Sequence, residues 1–131
     1  MSIETTTYGI LAAAAAVTAL TTAARIKPPG NWQDLARPYI VYKPVTFDPT
    51  YCHNAETVAL LDHYPNLQIN IVADTYASAR AVSDAVKTAI RSTTNGNHSG
   101  TQYFLRNEIV LDFDTDRGIQ EIALDFEVFG R

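Results

Sequence analysis

The chain has a single cysteine, Cys52, among 131 residues, so no intrachain disulfide can staple it. That fits a reducing compartment. It also lacks any run of basic residues. Its ten lysines and arginines are scattered from Arg25 to Arg131, and the net charge is −4. A protein that reads a nucleic-acid groove or grips phosphate needs clustered Lys and Arg, so that class is excluded. There is no long hydrophobic run. Ile10–Ala24 is apolar and Ala-rich, but no basic residue precedes it and Thr18, Thr21 and Thr22 interrupt it. A signal peptide has a charged start, and a membrane span needs about 20 apolar residues, so this segment reads as an amphipathic helix. Without a secretory route the Asn97-His98-Ser99 sequon has no use.

Catalytic motifs are missing as well. Gly-x-Ser-x-Gly and His-Glu-x-x-His do not occur. Asn95–Gly100 contains glycine but not the Gly-Lys-Ser/Thr of a phosphate loop, and it follows a helix instead of a strand. Asp112, Asp114 and Asp116 resemble the start of a calcium loop. Counting from Asp112, however, the sixth and twelfth positions hold Arg117 and Ala123, where Gly and Glu are required. The three acids therefore read as part of an acidic hairpin turn. Cys52-His53 has no second Cys or His pair to complete a metal site. A thiol enzyme using Cys52 with His63 or His98 stays open as an alternative, but no nucleophile motif surrounds Cys52, which reads as a loop cysteine.

What is present is the composition of a folded protein: 47% hydrophobic and 18% charged residues. The length suits one domain spanning residues 1–131. Ile3, Thr7, Ile10, Leu11, Ala14, Val17 and Leu20 predict one helix face over Glu4–Ala24, ended by Pro28-Pro29-Gly30. Gly30–Pro38 is a loop with the sole tryptophan, Trp32. Tyr39–Lys43 is a strand, placed at an edge by Pro44. Asn66–Ala73 alternates, with Leu67, Ile69 and Ile71 on one face. Asp74 or Thr75 caps a second helix that runs to about Ser92, its buried stripe being Ala77, Ala81, Val82, Ala85, Val86, Ala89 and Ile90. Thr93–Gly100 is a connection. Strands at Tyr103–Phe113 and Ile119–Phe129 flank a turn at Asp114–Gly118. In the last strand Ile122, Leu124, Phe126 and Val128 point inward, while Glu121, Asp125 and Glu127 point outward. The order α-β-β-α-β-β predicts an α+β fold: a four-stranded, mainly antiparallel sheet with two helices on one face.

Two stretches stand out as candidate surfaces. Thr46–Pro65 has weak periodicity and about twenty residues, long for a connection in a compact domain. Phe47, Asp48, Tyr51, His53, Asn54 and Glu56 make it a candidate interface that extends from the sheet and orders against a neighbour; the alternative is a hairpin folded over its own core. Seven of the fourteen acids fall between Glu108 and Glu127, with Arg117 the only base there. Asp112, Asp114, Asp116, Glu121, Asp125 and Glu127 are candidates for a surface that repels DNA, or simply a solvated sheet face.

Four segments resemble a known family. They are the Ala-rich opening helix ending Val17-Thr18-Ala19-Leu20-Thr21-Thr22-Ala23-Ala24-Arg25-Ile26, Arg37-Pro38-Tyr39-Ile40-Val41-Tyr42, the strand and helix from Gln68 to Val86, and the closing Leu124-Asp125-Phe126-Glu127-Val128-Phe129. In this order they are similar to the small tail-completion, or tail-terminator, proteins of long-tailed bacteriophages and gene-transfer particles. The chain departs from that pattern in Thr46–Pro65. The resemblance implies a structural virion protein, not an enzyme and without a cofactor. It further implies a six-fold ring that caps the tail tube, joins it to the head or neck connector and lets DNA pass without specific binding. Such a protein assembles in the host bacterial cytoplasm and needs no membrane. A head-completion or other neck adaptor is the alternative within the structural class.

Overall fold

The structure, a computed structural model, describes residues 3–28, 36–53, 58–91, 96–98, 100–111 and 119–130; for 46–53, 58–62, 97 and 130 it describes the backbone alone. The Trp32 loop and the Asp114–Gly118 turn lie outside the described residues. The elements are α1 (Ile3–Ala13), α2 (Ala15–Thr18), a 3₁₀ turn (Ala23–Arg25), β1 (Ile26–Lys27), β2 (Tyr39–His53), β3 (Val58–Ala73), α3 (Tyr76–Ile90), β4 (Asn97–His98), β5 (Thr101–Val110) and β6 (Gln120–Gly130).

The α+β class holds, with differences in detail. Among the described residues the sheet has the order β1-β2-β3-β6-β5-β4. The four long strands β2, β3, β6 and β5 alternate in direction, as the sequence predicts. Two-residue strands are added at each edge: β1 runs parallel to β2 and makes the sheet mixed, and β4 runs antiparallel to β5. Strands this short carry no periodicity, so the pattern along the chain cannot announce them.

The opening helix is not continuous. It breaks at Ala14, whose ψ of 114° is extended, and resumes for the single turn of α2. At 3.6 residues per turn an unbroken helix would set Leu11 and Val17 about 120° apart, at opposite margins of the apolar stripe. The break lets both reach zero exposure. Thr18 then donates its hydroxyl back to the Ala14 carbonyl at 3.2 Å, and Thr21 donates to the Pro38 carbonyl at 2.8 Å. Leu20, expected on the buried face, is exposed.

Thr75 is the cap of α3; its hydroxyl accepts from the Ser78 amide at 3.1 Å. The helix buries Ala79, Val82, Ser83, Ala85, Val86 and Ile90, a stripe rotated from the expected one, which included the exposed Ala77 and Ala81. Alanine at so many positions leaves the phase of the helix to its packing partners. One core joins α1, Val17 and α3 to Ile40, Tyr42, Leu67, Ile69, Ile71, Ile122, Leu124, Phe126 and Val128. Thr7 and Tyr103 share a buried hydrogen bond of 3.0 Å across it, and burial pushes the Tyr103 phenol up to about 12. Ser83 is fully buried, and its hydroxyl finds no partner among the described residues. Ser83→Ala is therefore expected to stabilise the fold by about 1 kcal/mol, because it removes an unmet desolvation cost and improves helix propensity. Urea unfolding checks this; a destabilised variant would mean that the hydroxyl is satisfied in solution.

Candidate interaction surface

Thr46–Pro65, expected to be irregular, is mostly strand. After shifts near Val45 and Phe47, β2 and β3 stay paired from Asp48–His63 out to His53–Val58. Cys52 thus lies in a strand opposite Ala59, not in a loop. The last rung shared with β6 is Asp62–Gly130, so Thr50–His53 and Val58–Leu61 form an arm beyond the third strand. Phe47, Asp48, Tyr51 and His53 lie on β2 within this hairpin, while Asn54 and Glu56 lie outside the described residues.

The arm leaves one end of a sheet whose two edges are largely uncovered among the described residues. β1 covers β2 only at Ile40 and Val41, so among the described residues no strand flanks it from Tyr42 onward. Pro44 sits in that stretch, where a residue without an amide proton is tolerated. On the far edge β4 covers β5 only at Thr101 and Gln102. Ile109 and Val110, near the other end of β5, are exposed, as is Val45 on β2. A groove of about 740 Å³ runs along β5 and is lined by Arg91, Gly96 and Gln102–Arg106. Gly96, at φ 67°, is required there, since a Cβ would stand 2.4 Å from the Tyr103 carbonyl oxygen.

The face away from the helices carries the acids of β6. Glu121 accepts from the Asn70 amide at 2.6 Å. Burial raises the Asp125 carboxyl above its ordinary range. Glu127 accepts from Arg106 and lies 2.9 Å from His63; these two partners, Arg106 first, hold its carboxyl below the usual range. The His63 ring stacks on Phe129 at 4.4 Å, and Phe104 meets Phe129 edge-on at 6.0 Å. Glu121, Asp125 and Glu127 therefore share one face, as their alternation predicts, but the charge of Glu127 is met locally. Asp112, Asp114 and Asp116 lie outside the described residues.

Sequence reading missed Glu108. A register shift between Leu105 and Asn107 turns it to the helix side of β5, opposite Leu124. There Arg80 donates to one of its oxygens and Lys87 to the other at 2.7 Å, so α3 is tied to β5. Arg80 and Lys87 are seven residues apart, two turns along one helix face, and that spacing was the available signal. Lys87, then Arg80, hold the Glu108 carboxyl below its usual range. The stability it adds is complete above the ordinary carboxylate pKa of about 4.3 and is lost as the pH falls through the lower folded value. Glu108→Gln should be less stable than the parent at neutral pH, with the difference closing on acidification. Denaturation midpoints taken from pH 7 to about 3 read this out, and a constant difference would mean that the ion pairs contribute nothing.

Among the described residues no three His, Cys, Asp or Glu side chains come together as a metal ion would require, and no helix is long and apolar enough to cross a membrane. Among the described residues the prominent features are two largely uncovered sheet edges and a projecting arm, surfaces of the kind on which further strands can pair. A search of curated proteins finds no match. The model of the family described as tail completion protein gp17 matches residues 7–129, and the chain belongs to that family. Its fold is similar to a chain in a solved structure described as the virion of a native gene transfer agent particle. The TM-score is 0.63 and the identity 18%, covering 98% of this chain and 94% of that one. It is thus a structural protein of a phage-type tail, in line with the resemblance read from the sequence.

Proposed function

We propose that this single-domain chain is a ring-forming tail terminator: six copies cap the tail tube and join it to the head or neck connector, without catalysis or cofactor. Membership of the tail-completion family is the observation that carries the reading. The two bare edges support it, since a head-to-tail repeat of one chain closes into a ring when each copy offers two different, complementary surfaces. In this reading the hairpin bearing Phe47, Asp48, Tyr51, His53, Asn54 and Glu56 docks on a neighbouring copy or the tube. The face with Glu121, Asp125 and Glu127, together with Asp112, Asp114 and Asp116, turns toward the channel, where negative charge lets DNA slide through unbound. Assembly takes place in the host bacterial cytoplasm and involves no membrane.

Electron microscopy of the assembled particle tests this directly. A six-fold ring of this chain at the head-proximal end of the tube is expected. Density against the head portal instead would reassign the chain as a head-completion or neck adaptor, and one copy per particle would end the ring reading.

A further inference from the structure

Resting on the ring reading, we propose that the ring is closed by strand addition: the free edge of β2 in one copy, from Tyr42 into the arm, pairs antiparallel with the free edge of β5 in the next.

Four observations carry this. First, direction: because β2, β3, β6 and β5 alternate, β2 and β5 run oppositely on the two outer edges. Repetition about an axis along the strands therefore sets β5 of one copy antiparallel to β2 of the next, and no protomer need be inverted. Second, register: Lys43, Gln68, Asp125 and Asn107 share one rung, and Asp48, His63, Phe129 and Gln102 share another. The bare length of β2 thus lies level with the bare length of β5, and the arm leaves the sheet at the end where the groove opens. Third, charge: from Pro44 to Ala79 the chain has Asp48, Glu56, Asp62 and Asp74 and no lysine or arginine. The groove offers Arg91, which is exposed and pairs with no carboxylate among the described residues; Arg106, its other cation, is already paired with Glu127. Fourth, both edges leave apolar side chains in water: Val45 on the bare stretch of β2, and on β5 Ile109 and Val110, which lie just past Glu108, the residue level with Tyr42. An uncovered edge strand invites a further strand, and one added to β2 brings side-chain burial and backbone hydrogen bonds from the outward groups other than Pro44 and Pro49, which have no amide proton.

The test is a pair of single-cysteine chains, both Cys52→Ser, one Lys43→Cys and the other Asn107→Cys, assembled together into particles and oxidised without a linker. Within one copy the two positions are three strand spacings apart, about 14 Å, too far for a disulfide. Neighbouring copies bring them to about one spacing, so a disulfide joining the two species is expected, and a chain carrying both cysteines should give a ladder of multimers. Val45→Cys replaces Lys43→Cys to allow for a one- or two-residue stagger. Particles that hold several copies but form neither disulfide overturn the strand addition and leave the ring reading intact. A single copy per particle overturns both. If the cysteine chains do not assemble, hydrogen exchange on unmodified particles decides. The outward-facing amides among Tyr42, Lys43, Val45 and Thr46 and among Phe104–Glu108 should exchange at least tenfold more slowly in the particle than in the free chain, and unchanged exchange at either edge overturns the proposal.

Discussion

Phe126→Ala is expected to remove about 3–5 kcal/mol of folding stability, the largest effect of any single truncation among the described residues. Phe126 is fully buried and the largest such side chain among the described residues. It shares a rung with Leu67 and Leu105, so it sits where three strands and α3 converge. Its ring also meets Tyr103 edge-on at 6.4 Å, and Tyr103 in turn holds Thr7 of α1. Cutting it to alanine forfeits the transfer of an aromatic ring and opens a cavity that three hydrogen-bonded strands cannot collapse to fill. Domains of this size are stable by only about 5–15 kcal/mol, so much of the total would go. Urea denaturation followed by circular dichroism measures it. A loss under about 1 kcal/mol would mean that the core around β6 repacks freely, contrary to the packing described.

Shortening the arm should do the opposite: leave the fold and destroy assembly. Replacing Thr50–Leu61 by Asn-Gly removes the rungs that only β2 and β3 share and leaves Pro49 opposite Asp62, where the third strand begins. Asn-Gly suits the tight turn that a two-residue hairpin connection needs. Two-stranded ribbon contributes little to stability on its own, so the midpoint should shift by no more than about 1 kcal/mol. If the arm is the docking element, particles made with this chain should carry tails that are not joined to heads, and infectious or gene-transferring titre should fall by orders of magnitude. Electron microscopy and titre together read this out. A normal titre with a shortened arm would place the docking surface elsewhere; a collapse of the free chain's stability would show that the arm belongs to the core.

Much of this architecture could be read along the chain. The alternation of Ile122, Leu124, Phe126 and Val128 set both the strand and its inward face, and the structure buries all four completely. Thr75 was one of two candidates for the cap of α3. The family resemblance rested on the same core segments, and the family match covers them. These features are local: a period of two or of 3.6, or a capping hydroxyl three residues ahead of its amide, is a property of neighbouring residues.

What the sequence could not decide was what depends on distant partners. The break at Ala14 accompanies the burial of both Leu11 and Val17 in the core, and an alanine-rich run, the best helix former, predicts an unbroken helix instead. Glu108 faces the helix because a register shift one or two residues earlier reverses the alternation, and only the pairing with β6 fixes that shift. Thr46–Pro65 looked irregular because its two prolines and its bulged register near Pro44 and Asp48 blur the period of two. Each strand there is held by hydrogen bonds to the other across the hairpin, a force without sequence period. The sequence by itself determined the class of fold, its core strands and its family; tertiary pairing decided which edges stay bare and where the arm points, because a strand's edge is defined by the neighbour it lacks.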